Sequence, residues 1–359
     1  MVVIIILSIF DMAPEQEINY VEFYPMIFFS AAGMLVMVVV IDFLTFFLGL
    51  ECMSVFVYAM CGWKWRELCL GELVLKYFFI FVLVSGVILY GIVFVYIVVG
   101  LMNYGVIACY IARLFIVSDS LLLLGGLLIV VGFFFKIVVV LFHMWTSDVY
   151  EGAPIFIMLF MVVSVKVIGF AALIRFLFVV IGGDNLRQAG FELLLFDIFY
   201  VVAVIIMFTG NLVVFVQYNV KCMLAYFSIV YVGYALIGII AGGHGNIGGL
   251  VAVMFYMLAY AFMMAGAFVI VLFMERVDNR EEWFDDLRGF GRCHSVLALV
   301  MMLFMVLFVD VSFIAGFFGK LFLFKSVIDV ELVGLAVIGV VNSLISFYYY
   351  INVIVKMYM

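Results

Sequence analysis

Residues 120–143 read SLLLLGGLLIVVGFFFKIVVVLFH, an apolar run of membrane-spanning length that carries a single formal charge, Lys136. Comparable runs lie at about 25–41, 43–61, 76–99, 154–181, 193–216, 221–241, 249–274, 295–318 and 333–355. Residues 1–10 are apolar but too short to cross alone. The runs are continuous and show no strand-like alternation. A helix also satisfies its own backbone in lipid, so helices are expected in preference to a barrel. The expected fold class is therefore all-α: a polytopic transmembrane helix bundle of about 10–11 spans.

Composition agrees. Of 359 residues, 71% are hydrophobic and 11% charged, against roughly 45–50% and about 25% in soluble domains. No soluble core absorbs that much apolar surface. The net charge of −7 comes with no basic run, so nucleic-acid binding is not expected. The six cysteines, Cys52, Cys61, Cys69, Cys109, Cys222 and Cys293, show no CxxC spacing. They read as small hydrophobes, and no metal site is expected. There is no GxGxxG after a strand, no P-loop and no haem-like histidine pair, so this chain is expected to bind no cofactor.

The loops set the orientation. Lys64, Arg66, Lys221, Arg276, Arg280, Arg288, Arg292 and Lys356 fall on one side, and Arg113, Arg175 and Arg187 on the other. The positive-inside rule places the richer side in the matrix or cytoplasm. The loop 275–294, with Glu281, Glu282, Asp285, Asp286 and Arg288, reads as a solvated linker or surface helix. Asp42 and Arg175, near span ends, are expected to reach headgroups or water. His244 reads as a loop residue.

Residue usage points to the compartment. Pro occurs at 14, 25 and 154, His at 143, 244 and 294, Thr at 45, 146 and 209, and Gln at 16, 188 and 217. Codons for all four begin with C or A, whereas Val, Phe, Gly, Cys and Trp, with codons beginning in G or T, are plentiful. Such strand skew is common in mitochondrial genomes. The first residues form no Arg/Ser-rich presequence. The expected location is the mitochondrial inner membrane.

The chemistry lies in charges near mid-span. Each costs roughly 2.5–3.5 kcal/mol to insert, so each needs a partner, water or a function. Glu51 lies within 43–61, Lys136 within 120–143, and Lys166 near the centre of 154–181. Lys320 closes the apolar stretch that begins at Ser295, and Asp310 lies in the same stretch. An amine taken out of water is poised for proton transfer, because burial lowers its proton affinity and a nearby carboxylate restores it. Glu51 and Lys136 are expected within ion-pairing reach, directly or through water. Lys166 is the expected next acceptor, and Lys320 the group beyond it. The plainer reading makes each lysine a snorkelling group or a static ion pair. Glu72 and Lys76, four apart, are expected to form a local pair at a helix start. His143 ends its span and could sit at a channel mouth or simply at the interface. Gly132-Phe133-Phe134-Phe135-Lys136 recurs as Gly316-Phe317-Phe318-Gly319-Lys320, as in repeat-built transporters.

Five segments carry a resemblance: LGLECMS at 48–54, GELVLKYFF at 71–79, FKIVVVLFHMWTSDVYEGAP at 135–154, KCMLAYFSIVYVGYALIG at 221–238 and FIAGFFGKLF at 313–322. Together they resemble the NADH dehydrogenase subunit 2 family, the antiporter-like membrane subunits of respiratory complex I, over roughly 23–355. The resemblance implies two inverted five-helix repeats, each with a discontinuous helix, at 23–182 and 183–359, after a short apolar segment and loop at 1–22. It implies a proton channel coupled to quinone reduction, with Glu51, Lys136, Lys166 and Lys320 as the relay and His143, Glu72 and Lys76 as secondary candidates. It implies partners among the other membrane-arm subunits, including neighbouring antiporter-like ones, and membrane lipids such as cardiolipin. FMN, iron–sulfur clusters and ubiquinone are expected in other subunits. Leu141 stands where the family usually has Pro, and Val309-Asp310-Val311-Ser312-Phe313 lacks the family's second Pro. The helix breaks are then expected to rest on Gly316, Gly319 or local polar groups. A free-standing cation/proton antiporter and the sibling subunits 4 and 5 are the alternatives.

Overall fold

The computed structural model describes residues 20–62, 68–113, 120–143, 146, 149–150, 152–182, 191–278, 287–309 and 315–359. Among these there is no strand. The helices are α1 Tyr20–Val39, α2 Phe43–Cys61, α3 Leu68–Val99, the short α4 Tyr104–Arg113 and α5 Ser120–Ile137. Then come α6 across Ile155–Val180, α7 Phe191–Val214, α8 Val220–Gly243, α9 Ile247–Asp278, α10 Ser295–Val309, α11 Ala315–Ile328 and α12 Val333–Tyr358. Eight of these are long and apolar enough to cross a membrane, and Phe23–Val39 and Ser295–Val309 are shorter apolar helices. The chain is a multi-pass membrane protein. Its outer faces are apolar, as a lipid-facing surface must be: Phe79, Leu83, Leu212 and Tyr348 are all more than half exposed.

Helix α8 is the axis of the second half. Every residue from Val220 to Gly243 is buried, and it packs against α7, α9 and α11. Such a helix shows no polar face because it has no lipid or water face to show. Without a strong hydrophobic drive in lipid, helices associate by close backbone packing, and facing glycines permit it. A Cβ on Gly33 would lie 2.8 Å from the Gly49 carbonyl, joining α1 to α2. A Cβ on Gly91 would lie 2.8 Å from the Gly125 carbonyl, joining α3 to α5, and one on Gly249 would lie 2.6 Å from the Gly238 carbonyl, joining α9 to α8.

The helix break after α5 lies wholly within the described residues. α5 ends in a Schellman arrangement: Val138 N–H donates to the Phe135 carbonyl at 3.1 Å and Val139 N–H to that of Phe134 at 2.9 Å. Val138 takes the left-handed position, φ 66°, where glycine is the usual residue. A 3-10 turn, Val140–Phe142, follows. The first break therefore forms without Pro and without Gly. The second break is expected within 295–318. The described residues of this stretch are α10 up to Val309 and α11 from Ala315. Gly316 and Gly319 lie inside α11. Gly319 admits the Tyr256 ring of α9, whose Cδ2 would lie 2.8 Å from a Cβ there. Asp310 and residues 311–314 lie outside the described residues, as do Glu281, Glu282, Asp285 and Asp286.

Candidate functional site: a buried lysine line

Lys136 occupies the last turn of α5 and is 4% exposed. Its Nζ donates to Ser54 Oγ of α2 at 2.6 Å and lies 4.6 Å from the centroid of the Phe81 ring of α3. Ser54 donates in turn to the Leu50 carbonyl at 2.6 Å, so both ends of that hydroxyl are used. Glu51 stands three residues before Ser54 on α2, on the same helix face. Among the described residues Glu51 and Lys136 do not close to a contact ion pair. The lysine proton goes to Ser54, and Glu51 Oε1 is buried without a hydrogen-bond partner among the described residues. The expected approach is direct or through water; among the described residues the carboxylate stands one helical turn before the serine that receives the amine. A buried carboxylate oxygen in that state is costly and marks a group poised to accept.

Beside Lys136 is a cavity of about 20 Å³, lined among others by Ser54, Tyr58, Tyr77, Lys136, Tyr150 and Val165. That is room for one water. It reaches from the Lys136 amine to the turn of α6 that precedes Lys166.

Lys166 is 1% exposed. Its Nζ donates to Ser228 Oγ of α8 at 2.5 Å, and Ser228 donates to the Ala225 carbonyl. The same lysine–serine–carbonyl device therefore serves both lysines, on different helices. The helix before Lys166 is wound as a π-helix over Phe160–Val165. Within it, the Val162 carbonyl accepts from Tyr260 Oη of α9 at 2.9 Å. π-turns often occur at functional positions because they re-aim the side chains that follow.

Lys320 is 5% exposed on α11. Its Nζ lies 4.1 Å from the ring centroid of Tyr234 and 5.7 Å from that of Tyr231, both on α8. Aromatic faces stabilise a desolvated cation at such distances. On its other side Lys320 borders a groove of about 470 Å³ with Val309, Phe317, Lys325 and Phe347.

The structure thus sets Glu51 one helical turn from the serine that receives Lys136, and opens the Lys136 cavity onto Val165, the residue before Lys166. It sets Lys166 and Lys320 against successive turns of α8. It does not bring in Glu72 and Lys76, which form the expected i,i+4 pair at 3.0 Å with both side chains more than half exposed. His143 lies at the α5 break, its Nδ1 against the Val140 carbonyl and its ring edge-on to Tyr226 at 6.3 Å. His244 caps the end of α8 as a loop residue. Arg175 is half-buried and donates to the Val38 carbonyl near the end of α1. Sequence reasoning missed Ser54 and Ser228, and the tyrosines around Lys320. Their signal was available as spacing: Ser228, Tyr231 and Tyr234 lie three apart on one helix, and Tyr256 and Tyr260 four apart on the next.

Among the described residues no group of His, Cys, Asp and Glu could hold a metal. Among the described residues, Cys52, Cys61, Cys109, Cys222 and Cys293 form no disulfide.

The family model described as "NADH:quinone oxidoreductase/Mrp antiporter, TM" matches residues 41–346. The chain is 38% identical over 344 residues to NADH-quinone oxidoreductase subunit N of Trichlorobacter lovleyi, covering 96% of this chain and 69% of that protein. It is 37% identical over 334 residues to the protein of the same name from Bdellovibrio bacteriovorus, covering 92% and 67%. Among solved structures, a chain of respiratory complex I from Thermus thermophilus with bound aureothin superposes with a TM-score of 0.77. It is 28% identical, covering 94% of this chain and 70% of that one. A chain of the Mrp complex from Dietzia superposes at 0.81 with 21% identity, covering 94% and 60%, a likeness of fold.

Proposed function

We propose a function from one premise: the chain belongs to the NADH:quinone oxidoreductase/Mrp antiporter transmembrane family. It acts as the subunit N/subunit 2 type membrane component of an NADH:quinone oxidoreductase. There it moves protons through Glu51, Lys136, Lys166 and Lys320, driven by quinone reduction elsewhere in the assembly. The observation that carries this is the burial of three lysines in one bundle, at 4%, 1% and 5% exposure. Lys136 and Lys166 rest on serine hydroxyls and Lys320 on aromatic rings. A lysine placed for structure snorkels to the interface. These three stay inside, where an amine can exchange a proton.

The redox groups of such an assembly, FMN, iron–sulfur clusters and the quinone, belong to other subunits. The partners are the other membrane-arm subunits, among them an antiporter-like neighbour, and anionic lipids such as cardiolipin. The membrane is the mitochondrial inner membrane, a reading supported by the scarcity of Pro, His, Thr and Gln.

Substitution of Lys166 tests the function. Arg keeps its charge at all relevant pH and cannot release a proton, while Ala removes the group. Lys166→Ala and Lys166→Arg should both assemble and both impair coupled quinone reduction and proton pumping in membrane vesicles. Normal turnover and normal pumping in Lys166→Arg would make Lys166 a fixed charge and end this reading. A free-standing antiporter would exchange cations in liposomes with no NADH-oxidising partner present.

A further inference from the structure

Four tyrosines fill the space between Lys166 and Lys320: Tyr231 and Tyr234 on α8, Tyr256 and Tyr260 on α9. All are at most 2% exposed. Tyr231 stacks on Tyr256 at 5.3 Å and 13°, and packs against Tyr260 at 5.2 Å and Tyr234 at 6.5 Å. The quartet reaches Lys166 through Ser228 and Lys320 directly. At one end Tyr260 sits beside Ser228, the acceptor of Lys166. At the other Tyr234 and Tyr231 carry the Lys320 amine on their rings.

Packing alone does not call for tyrosine here. Phe gives the same stacking and the same aromatic face to a lysine, without a hydroxyl to bury. This chain has 42 Phe and 20 Tyr, so Phe is the common aromatic filling. Four tyrosines at same-face spacing on two facing helices, between two buried amines, are an exception in that setting.

We propose that the hydroxyls of Tyr260, Tyr231, Tyr256 and Tyr234, with Ser228, are the proton-relay groups joining Lys166 to Lys320. This rests on the proton-translocating reading above and names the groups that carry its middle step. The Lys166 ammonium gives its proton to Ser228 Oγ as Ser228 gives its own to Tyr260 Oη. The tyrosine hydroxyls then pass one proton each in turn, directly or through intervening water, and the neutral Lys320 amine takes the last. Every hydroxyl ends neutral, one N–H bond breaks at Lys166 and one forms at Lys320. The resting directions oppose this transfer. Ser228 donates to the Ala225 carbonyl and Tyr260 to the Val162 carbonyl, so both hydroxyls must turn before a proton moves. Val162 lies in the π-turn leading into Lys166, so a change of winding there would free Tyr260 and re-aim Lys166 together.

The test uses the native assembly in membrane vesicles, carrying Tyr231→Phe, Tyr260→Phe or both. Readouts are assembled complex, NADH-driven proton pumping and the solvent deuterium isotope effect on coupled turnover. Tyr→Phe should leave assembly intact, lower coupled turnover about tenfold or more, as loss of a positioned proton-transfer group does, and enlarge the isotope effect as proton transfer becomes the slow step. A structural role would change the amount of assembled complex and leave the isotope effect alone. Tyr350→Phe, equally buried but outside this line, controls for loss of a buried hydroxyl. If Tyr260→Phe does not assemble because Val162 loses its donor, Tyr231→Phe carries the test. Normal pumping and an unchanged isotope effect in assembled Tyr231→Phe, beside an impaired Lys166→Ala, overturn the relay and leave the function standing. Normal pumping in Lys166→Ala as well overturns the function.

Discussion

Asn211 of α7 is fully buried, and its side chain ties α12 into the bundle. Its Nδ2 donates to Asn342 Oδ1 at 3.0 Å and to the Asn342 carbonyl at 3.2 Å, and Tyr349 Oη donates back to Asn211 Oδ1 at 2.8 Å. Asn342 keeps a separate bond to the Ile338 carbonyl at 3.0 Å. An interhelical hydrogen bond in a membrane is worth about 0.6 kcal/mol on average, so three contribute about 2 kcal/mol. Asn211→Ala also leaves the Tyr349 hydroxyl without its acceptor, a penalty of about 1–2 kcal/mol. The expected loss is about 3–4 kcal/mol. Tyr349→Phe removes one bond and leaves half of Asn211 unused, at about 1 kcal/mol. In the Asn211→Ala background, however, Tyr349→Phe removes a hydroxyl that has lost its Asn211 acceptor and should be neutral or stabilising. Thermal denaturation of the isolated assembly, scanned at one rate for all four proteins, completes the cycle. An equal cost of Tyr349→Phe in both backgrounds would refute the clasp. The clasp bears on function because the other side of α12, with Val340, Ser343, Leu344 and Phe347, walls the groove beside Lys320. Asn211→Ala should therefore loosen that wall and weaken pumping more than NADH oxidation.

Three further outcomes follow from local geometry. At Val138, φ 66°, Gly should be more stable than Ala by about 1 kcal/mol, the reverse of their order inside a helix, as measured by comparing Val138→Gly with Val138→Ala in the same thermal scan. Gly91→Ala drives a methyl to 2.8 Å from the Gly125 carbonyl and should cost about 1–3 kcal/mol, seen as reduced assembly, with Lys136 displaced because α5 is the helix pushed away. Glu72→Gln and Lys76→Gln break a well-exposed pair and should shift the melting of the assembly by no more than about 1 kcal/mol.

Where a residue pattern breaks an apolar run, the fold and site could be read in advance, and where it does not they could not. Lys136, Lys166, Lys320 and Glu51 stood out because a charge in lipid needs a reason, and each lies buried or half-buried inside the bundle. The expected span 295–318 falls on two described stretches, Ser295–Val309 and Ala315–Ile328, and hydropathy alone does not separate them. The first break was hidden for a related reason: its left-handed residue is a valine, and nothing in the letters Ile137-Val138-Val139 marks a helix end. The deeper blind spot concerns inside and outside. In water, the polar face of a helix reveals its buried face by contrast. In lipid both faces are apolar, and wholly buried α8 reads no differently from lipid-exposed α3. The contrast that survives is among weakly polar residues, and serine and tyrosine pass as ordinary members of an apolar run. Read at helical spacing, Ser228, Tyr231 and Tyr234 mark one face of α8, and Tyr256 and Tyr260 one face of α9. Those are the faces that meet, with Lys166 at one end and Lys320 at the other. In such a chain, hydroxyls at same-face spacing near a mid-span lysine locate the interior that hydropathy cannot.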